Sequence, residues 1–89
     1  VLTVSPNYPA KPRRERREGR VIVCFKIYPD GSVRKPYVFA SSDRAFNRAS
    51  LRAIKASRFV AVDESDERID ACRTYRYRLD AVEPNSAAP

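Results

Sequence analysis

Residues Gly19–Val33, GRVIVCFKIYPDGSV, decide the fold. Val21, Val23, Phe25 and Ile27 alternate with Ile22, Cys24, Lys26 and Tyr28, the period-two spacing of a half-buried strand. The second set is too apolar for a face that meets only water. Asp30-Gly31 then accommodates positive φ, so YPDGSV reads as a tight turn and a second strand from Val33 to about Ala40 folds back on the first. Pro36, which has no N–H to give to a ladder, is expected on the edge side of that strand.

Working outward, FNRASLRAIKASRF (Phe46–Phe59) sets Phe46, Ser50, Ala53, Ile54 and Ser57 on one side and Arg48, Arg52 and Lys55 elsewhere. That is one amphipathic helix, with Asp43 or Asn47 as its cap. ACRTYRYRLD (71–80) alternates Ala71, Arg73, Tyr75, Tyr77 and Leu79 against Cys72, Thr74, Arg76 and Arg78, a third strand with a cationic outer side. A helix between strands two and three makes them parallel to each other, so both are antiparallel to strand one only if it lies between them. The expectation is an α+β fold of order ββαβ: a three-stranded antiparallel sheet, order 2-1-3, with the helix on one face, the other face open and strand three at a free edge.

The flanks are read as an extended lead-in over residues 1–12, because Pro6, Pro9 and Pro12 oppose a regular helix, and a flexible tail over 81–89, with the domain between them at 13–80. RRERREGR is either a helical turn stopped by Gly19, with Arg14 and Glu18 paired, or a solvated charged turn.

Composition narrows function. Eighteen Lys and Arg against eleven Asp and Glu give +7 in 89 residues, and there is no histidine. The charge favours acidic partners, while the missing imidazole removes Ser-His and Cys-His nucleophile pairs and the commonest metal ligand. The acidic run Asp63, Glu64, Asp66, Glu67, Asp70 lacks the glycine and spacing of a calcium loop. No catalytic residue, metal site or cofactor is expected. Tyr75 and Tyr77 alternate with arginines as core residues do, which argues against a nucleic-acid surface built on stacked aromatics. Cys24 and Cys72, 48 positions apart, suit one disulfide or two buried thiols better than a metal. No apolar run approaches the ~20 residues that span a bilayer.

Tyr8-Pro9, Gly19-x-Val21-x-Val23-x-Phe25, Asp30-Gly31, Ser41-Ser42, the helix FNRASLRAI and Arg58-Phe59, in that order from Pro6 to Asp80, resemble the C-terminal domain of TonB-family energy transducers. The resemblance implies a non-enzymatic periplasmic module. It would be anchored to the inner membrane through an N-terminal helix, driven by the ExbB-ExbD motor, and would pull on outer-membrane transporters such as those for siderophores. It implies that the transporter's TonB box adds as a strand beside the last strand, at Arg73, Thr74, Tyr75, Arg76, Tyr77 and Arg78, with Ser5, Asn7, Tyr8 and Pro9 taking part. A homodimer is a further possible partner. The family tryptophan before Arg-Phe is Ser57 here, which leaves less apolar filling under the helix. The rival readings are a basic nucleic-acid-binding domain, a redox or inhibitory protein built on the cysteines, and a soluble periplasmic TonB-like interaction protein. The 2-1-3 order makes the two cysteine strands neighbours with both thiols on the open face. A disulfide then forms only if they fall at a narrow, non-hydrogen-bonded pair, because a shift of one residue forbids it. The lead-in, a partner or a second copy is expected to shield the apolar open face.

Overall fold

The computed structural model describes residues 3–59, 68–79 and 81–83. The acidic residues Asp63–Glu67, and most of the tail, lie outside them. A short helix α1 (Ala10–Arg14) leads into β1 (Gly19–Ile27) and β2 (Val33–Ser41). After a 3-10 turn at Arg44–Phe46 come α2 (Asn47–Lys55), β3 (Ile69–Arg78) and β4 (Ala81–Glu83). The sheet order is β2-β1-β3-β4 with antiparallel neighbours throughout, so the expected 2-1-3 arrangement forms its first three strands.

Three expectations need correction. The helical turn falls on α1, not on RRERREGR. Pro12 is buried inside it, in the first turn, where the missing N–H costs nothing because that group has no intrahelical partner anyway. Arg16, at φ 58°, turns the chain afterwards, and Glu18 accepts the Leu79 N–H at 2.9 Å instead of pairing with Arg14. The tail is not wholly free: Ala81, Val82 and Glu83 pair with Arg78, Tyr77 and Arg76, adding a fourth strand. Finally, α2 stops at Lys55, and Phe59 donates its N–H to Gly31 O at 2.9 Å, tying the exit of the helix to the first hairpin.

The core lies between the sheet and α2: Val21, Val23 and Phe25 from β1, Tyr75 and Tyr77 from β3, and Phe46, Ala53 and Ile54 from the helical side. Ser50 and Ser57, on the same helical face, are buried too. Each Ser Oγ donates to the carbonyl four residues back, Phe46 O at 2.9 Å and Ala53 O at 3.0 Å, so burial orphans neither serine hydroxyl. Tyr77 in turn hydrogen-bonds Ser50 at 2.8 Å. Its ring stacks on Phe46 at 4.4 Å, and the Phe46 ring occupies the space that a side chain at residue 19 would need. Gly19 is therefore required by close approach.

Asp43 starts the helical segment. It accepts the Ala45 N–H at 3.0 Å and receives both Arg17 Nη2 contacts at 2.8 Å. The backbone bond first, and the guanidinium second, hold its carboxyl below the usual range. β2, the edge strand, carries two register shifts, one between Cys24 and Lys26 where Lys35 (φ 54°) and Pro36 oppose a single residue. A proline that cannot join the ladder is thereby absorbed in a bulge.

Candidate peptide-docking edge

β3 runs beside β1 in unbroken register from Gly19↔Tyr77 to Ile27↔Ile69. Its other side is covered by β4 only at Arg76, Tyr77 and Arg78. Among the described residues no strand lies on the outer side of residues 69–75, so the exposed edge is displaced toward the start of β3 from where the sequence suggested. Of the residues expected there, Arg73, Thr74 and Tyr75 lie on this stretch, and Arg76, Tyr77 and Arg78 lie under β4.

Which backbone groups point outward follows from the disulfide. Cys24 and Cys72 are directly opposed and bonded, with Cα atoms 3.9 Å apart. That spacing belongs to the narrow, non-hydrogen-bonded class of antiparallel pair. The N–H and C=O of Cys72 therefore turn away from β1, as do those of Asp70 and Thr74 two residues either side. These are the groups that an added strand would meet. Ala71, Arg73 and Tyr75 spend theirs on β1.

Side chains divide by face. Tyr75 is buried under the helix layer, with the Arg73 guanidinium 5.9 Å from its ring centroid. Burial pushes the Tyr75 hydroxyl up; Ser57 already accepts the Val4 N–H at 3.1 Å and donates to Ala53 O, and the Tyr75 hydroxyl has no hydrogen-bond partner among the described residues. On the opposite, open face the residues form rows across β2, β1 and β3: Ala40, Ile22, Thr74; Tyr37, Cys24, Cys72; Arg34, Lys26, Asp70. Lys26 Nζ meets Asp70 Oδ1 at 2.7 Å, which raises the ammonium pKa. The guanidinium groups of Arg34 and Arg68 lie over the Tyr28 ring, 4.5 and 4.8 Å from its centroid. Beside the disulfide, Lys35, Tyr37 and Asp70 help line a shallow groove of about 470 Å³.

The lead-in does not shield that face. Residues 3–9 run along the helix side: Val4 is held by Ser57, Ser5 and Asn7 face Ala49 and Arg52, and the Tyr8 ring meets Phe46 and Tyr77 edge-on at 5.6 and 5.7 Å. The Tyr8 hydroxyl donates to Arg17 O. Here the ring completes an aromatic cluster with Phe46 and Tyr77. Tyr8 thus joins the lead-in to the end of β3, while Ser5, Asn7 and Pro9 stay over α2, away from the exposed edge. Ser57, where the family tryptophan was expected, fixes the lead-in by a hydrogen bond instead of filling space.

Residues 4–79 match the family model described as Gram-negative bacterial TonB protein C-terminal. The solution NMR structure of the Pseudomonas aeruginosa TonB C-terminal domain is 27% identical, with a TM-score of 0.75 over 91% of this chain and 85% of that one. The solution structure of the Helicobacter pylori TonB C-terminal domain is 29% identical, with a TM-score of 0.69 over 86% of this chain and 84% of that one. No curated protein gives a significant match.

Proposed function

Because the chain belongs to the family of Gram-negative bacterial TonB protein C-terminal domains, we propose that it binds outer-membrane transporters by taking up an extended transporter segment, the TonB box, as a strand. The segment pairs with β3 over Ile69–Tyr75. The observation that carries this reading is that edge, which offers outward backbone groups at Asp70, Cys72 and Thr74 with no strand beside them among the described residues. Backbone pairing makes few demands on ligand sequence, which suits one module serving several transporters. Arg73 beside the edge, and Arg76 next along β3, attract acidic residues flanking the ligand.

In the same reading the domain works in the periplasm. An inner-membrane anchor and the ExbB-ExbD motor act through a preceding segment, and proton motive force reaches the transporter as a pull. Tyr8, packed edge-on against the stacked Phe46 and Tyr77 rings, secures the lead-in through which that pull enters. The chemistry asked of the domain is binding and force transfer, not catalysis.

The test is proline substitution read by titration with a synthetic TonB-box peptide. Thr74→Pro removes an outward N–H and is expected to abolish binding while the circular dichroism stays native. Arg76→Pro loosens only β4 and is expected to leave binding intact or improve it. Equal loss in both variants, or in neither, overturns the edge assignment.

A further inference from the structure

We propose that the Cys24–Cys72 disulfide is a mechanical stop, set where load crosses the sheet; this rests on the pulling role above. The antiparallel ladder puts Gly19 beside Tyr77. The end of β1 that receives the lead-in and the C-terminal end of β3 therefore lie together. Tension between them opens the β1–β3 ladder as a zipper, one pair at a time. Each pair then carries the whole load alone, whereas a ladder pulled lengthwise shares it. Such a junction is weak, and tension applied between the two ends of the chain loads it first.

Five pairs, from Gly19↔Tyr77 to Val23↔Arg73, stand between that end and the disulfide. At the sixth the opening meets a covalent bond. Beyond it lie Phe25↔Ala71 to Ile27↔Ile69, the first hairpin, α2 and the connection into β3. With the bond intact the continuous path runs through β1 to Cys24, across the sulfurs and out along β3 from Cys72. Residues 25–71 are outside it and cannot be drawn out. The exposed edge Ile69–Tyr75 is centred on Cys72, so a strand paired there delivers its load within three residues of the bond, on either side. The bond sits on the open face, away from α2, and Cys72 is exposed. Cys24 is buried, so the bond ties a packed residue of β1 to the outer strand.

The 89-residue chain held by its two ends in an optical trap tests this, first oxidised and then after a phosphine reductant is added to the folded molecule. Both states should give the same first opening. The oxidised chain then halts, while the reduced chain continues at the same force and gains a further ~170 Å, the 48 Cα–Cα steps from Cys24 to Cys72 at ~3.5 Å each. A reduced chain that halts at the same point overturns the proposal, because the ladder alone is then the stop. A reduced chain already unfolded without load, by circular dichroism, also overturns it, since the bond then only secures the fold. Peptide binding at zero load is expected to be the same in both redox states. Absence of peptide binding in both would sink the docking reading without touching the trap result, which uses no ligand.

Discussion

Replacing Gly19 with alanine tests the packing of the aromatic cluster directly. A Cβ there would stand 2.6 and 2.7 Å from two ring carbons of Phe46 and 3.2 Å from Ser42 Oγ. Ordinary carbon contacts need about 3.5–4.0 Å, so the ring must retreat by roughly 1 Å. It has little room to do so, since Phe46 is fully buried, stacked on Tyr77 and met edge-on by Tyr8. Overpacking of this kind costs about 1–3 kcal/mol. Against it, alanine lowers the entropy of the unfolded chain, worth about 0.4–1 kcal/mol in the other direction. The net expectation is a loss of about 1–2 kcal/mol, or roughly 4–16 °C in Tm for a domain of this size. Urea unfolding under non-reducing conditions, followed by circular dichroism, measures it. Gly19→Ala combined with Phe46→Leu, which shrinks the obstructing ring, should cost less than the two single changes summed. A neutral or stabilising Gly19→Ala, or strict additivity with Phe46→Leu, would refute the steric argument.

Reduction of Cys24–Cys72 should lower stability by ~4 kcal/mol, from the chain-entropy model for a closed loop of this length, as read from urea curves with and without reductant. Burial pushes the Tyr77 hydroxyl up to about 12. The folded state then holds its proton more tightly than the unfolded chain, so Tyr77 contributes stability that is complete below pH 10 and is lost as pH rises from about 10 to about 12. Absorbance at the tyrosinate band should show late ionisation of Tyr77, and Tyr77→Phe should flatten the alkaline fall in Tm. Because Ser50 Oγ keeps its bond to Phe46 O, Tyr77→Phe should itself cost only ~1 kcal/mol. The carboxyl of Asp43 is held low, so its contribution is present above its unfolded pKa and disappears as pH falls through the folded value. Asp43→Ala should therefore destabilise at neutral pH and make no difference in strong acid, by thermal melts at the two pH values.

Local patterns in the chain were enough for the strands, the helix and their order. Alternation in Gly19–Ile27 separates an inward Val21, Val23, Phe25 set from an outward Ile22, Cys24, Lys26 set. The spacing of Phe46, Ser50, Ala53, Ile54 and Ser57 marks the buried helical side. Both periods are properties of the backbone, so they are legible without neighbours. Tyr75 and Tyr77 were legible as core for the same reason. What lies outside those periods was settled by tertiary contact. Ala81–Glu83 is too short to announce a strand, and it pairs only because β3 is there to receive it. Tyr8 goes to the helix side because Phe46 and Tyr77 leave a slot for its ring, and that slot exists only after strand, helix and lead-in meet. β4 displaces the docking edge for the same reason, by covering Arg76, Tyr77 and Arg78. The disulfide marks the boundary most clearly. The sequence put both cysteines on one face of adjacent strands, but a slip of one residue would have parted them. The register that opposes Cys24 to Cys72 is set by the whole β1–β3 ladder and the core beneath it, where burying Val21, Val23, Phe25, Tyr75 and Tyr77 together forbids a slip of one residue.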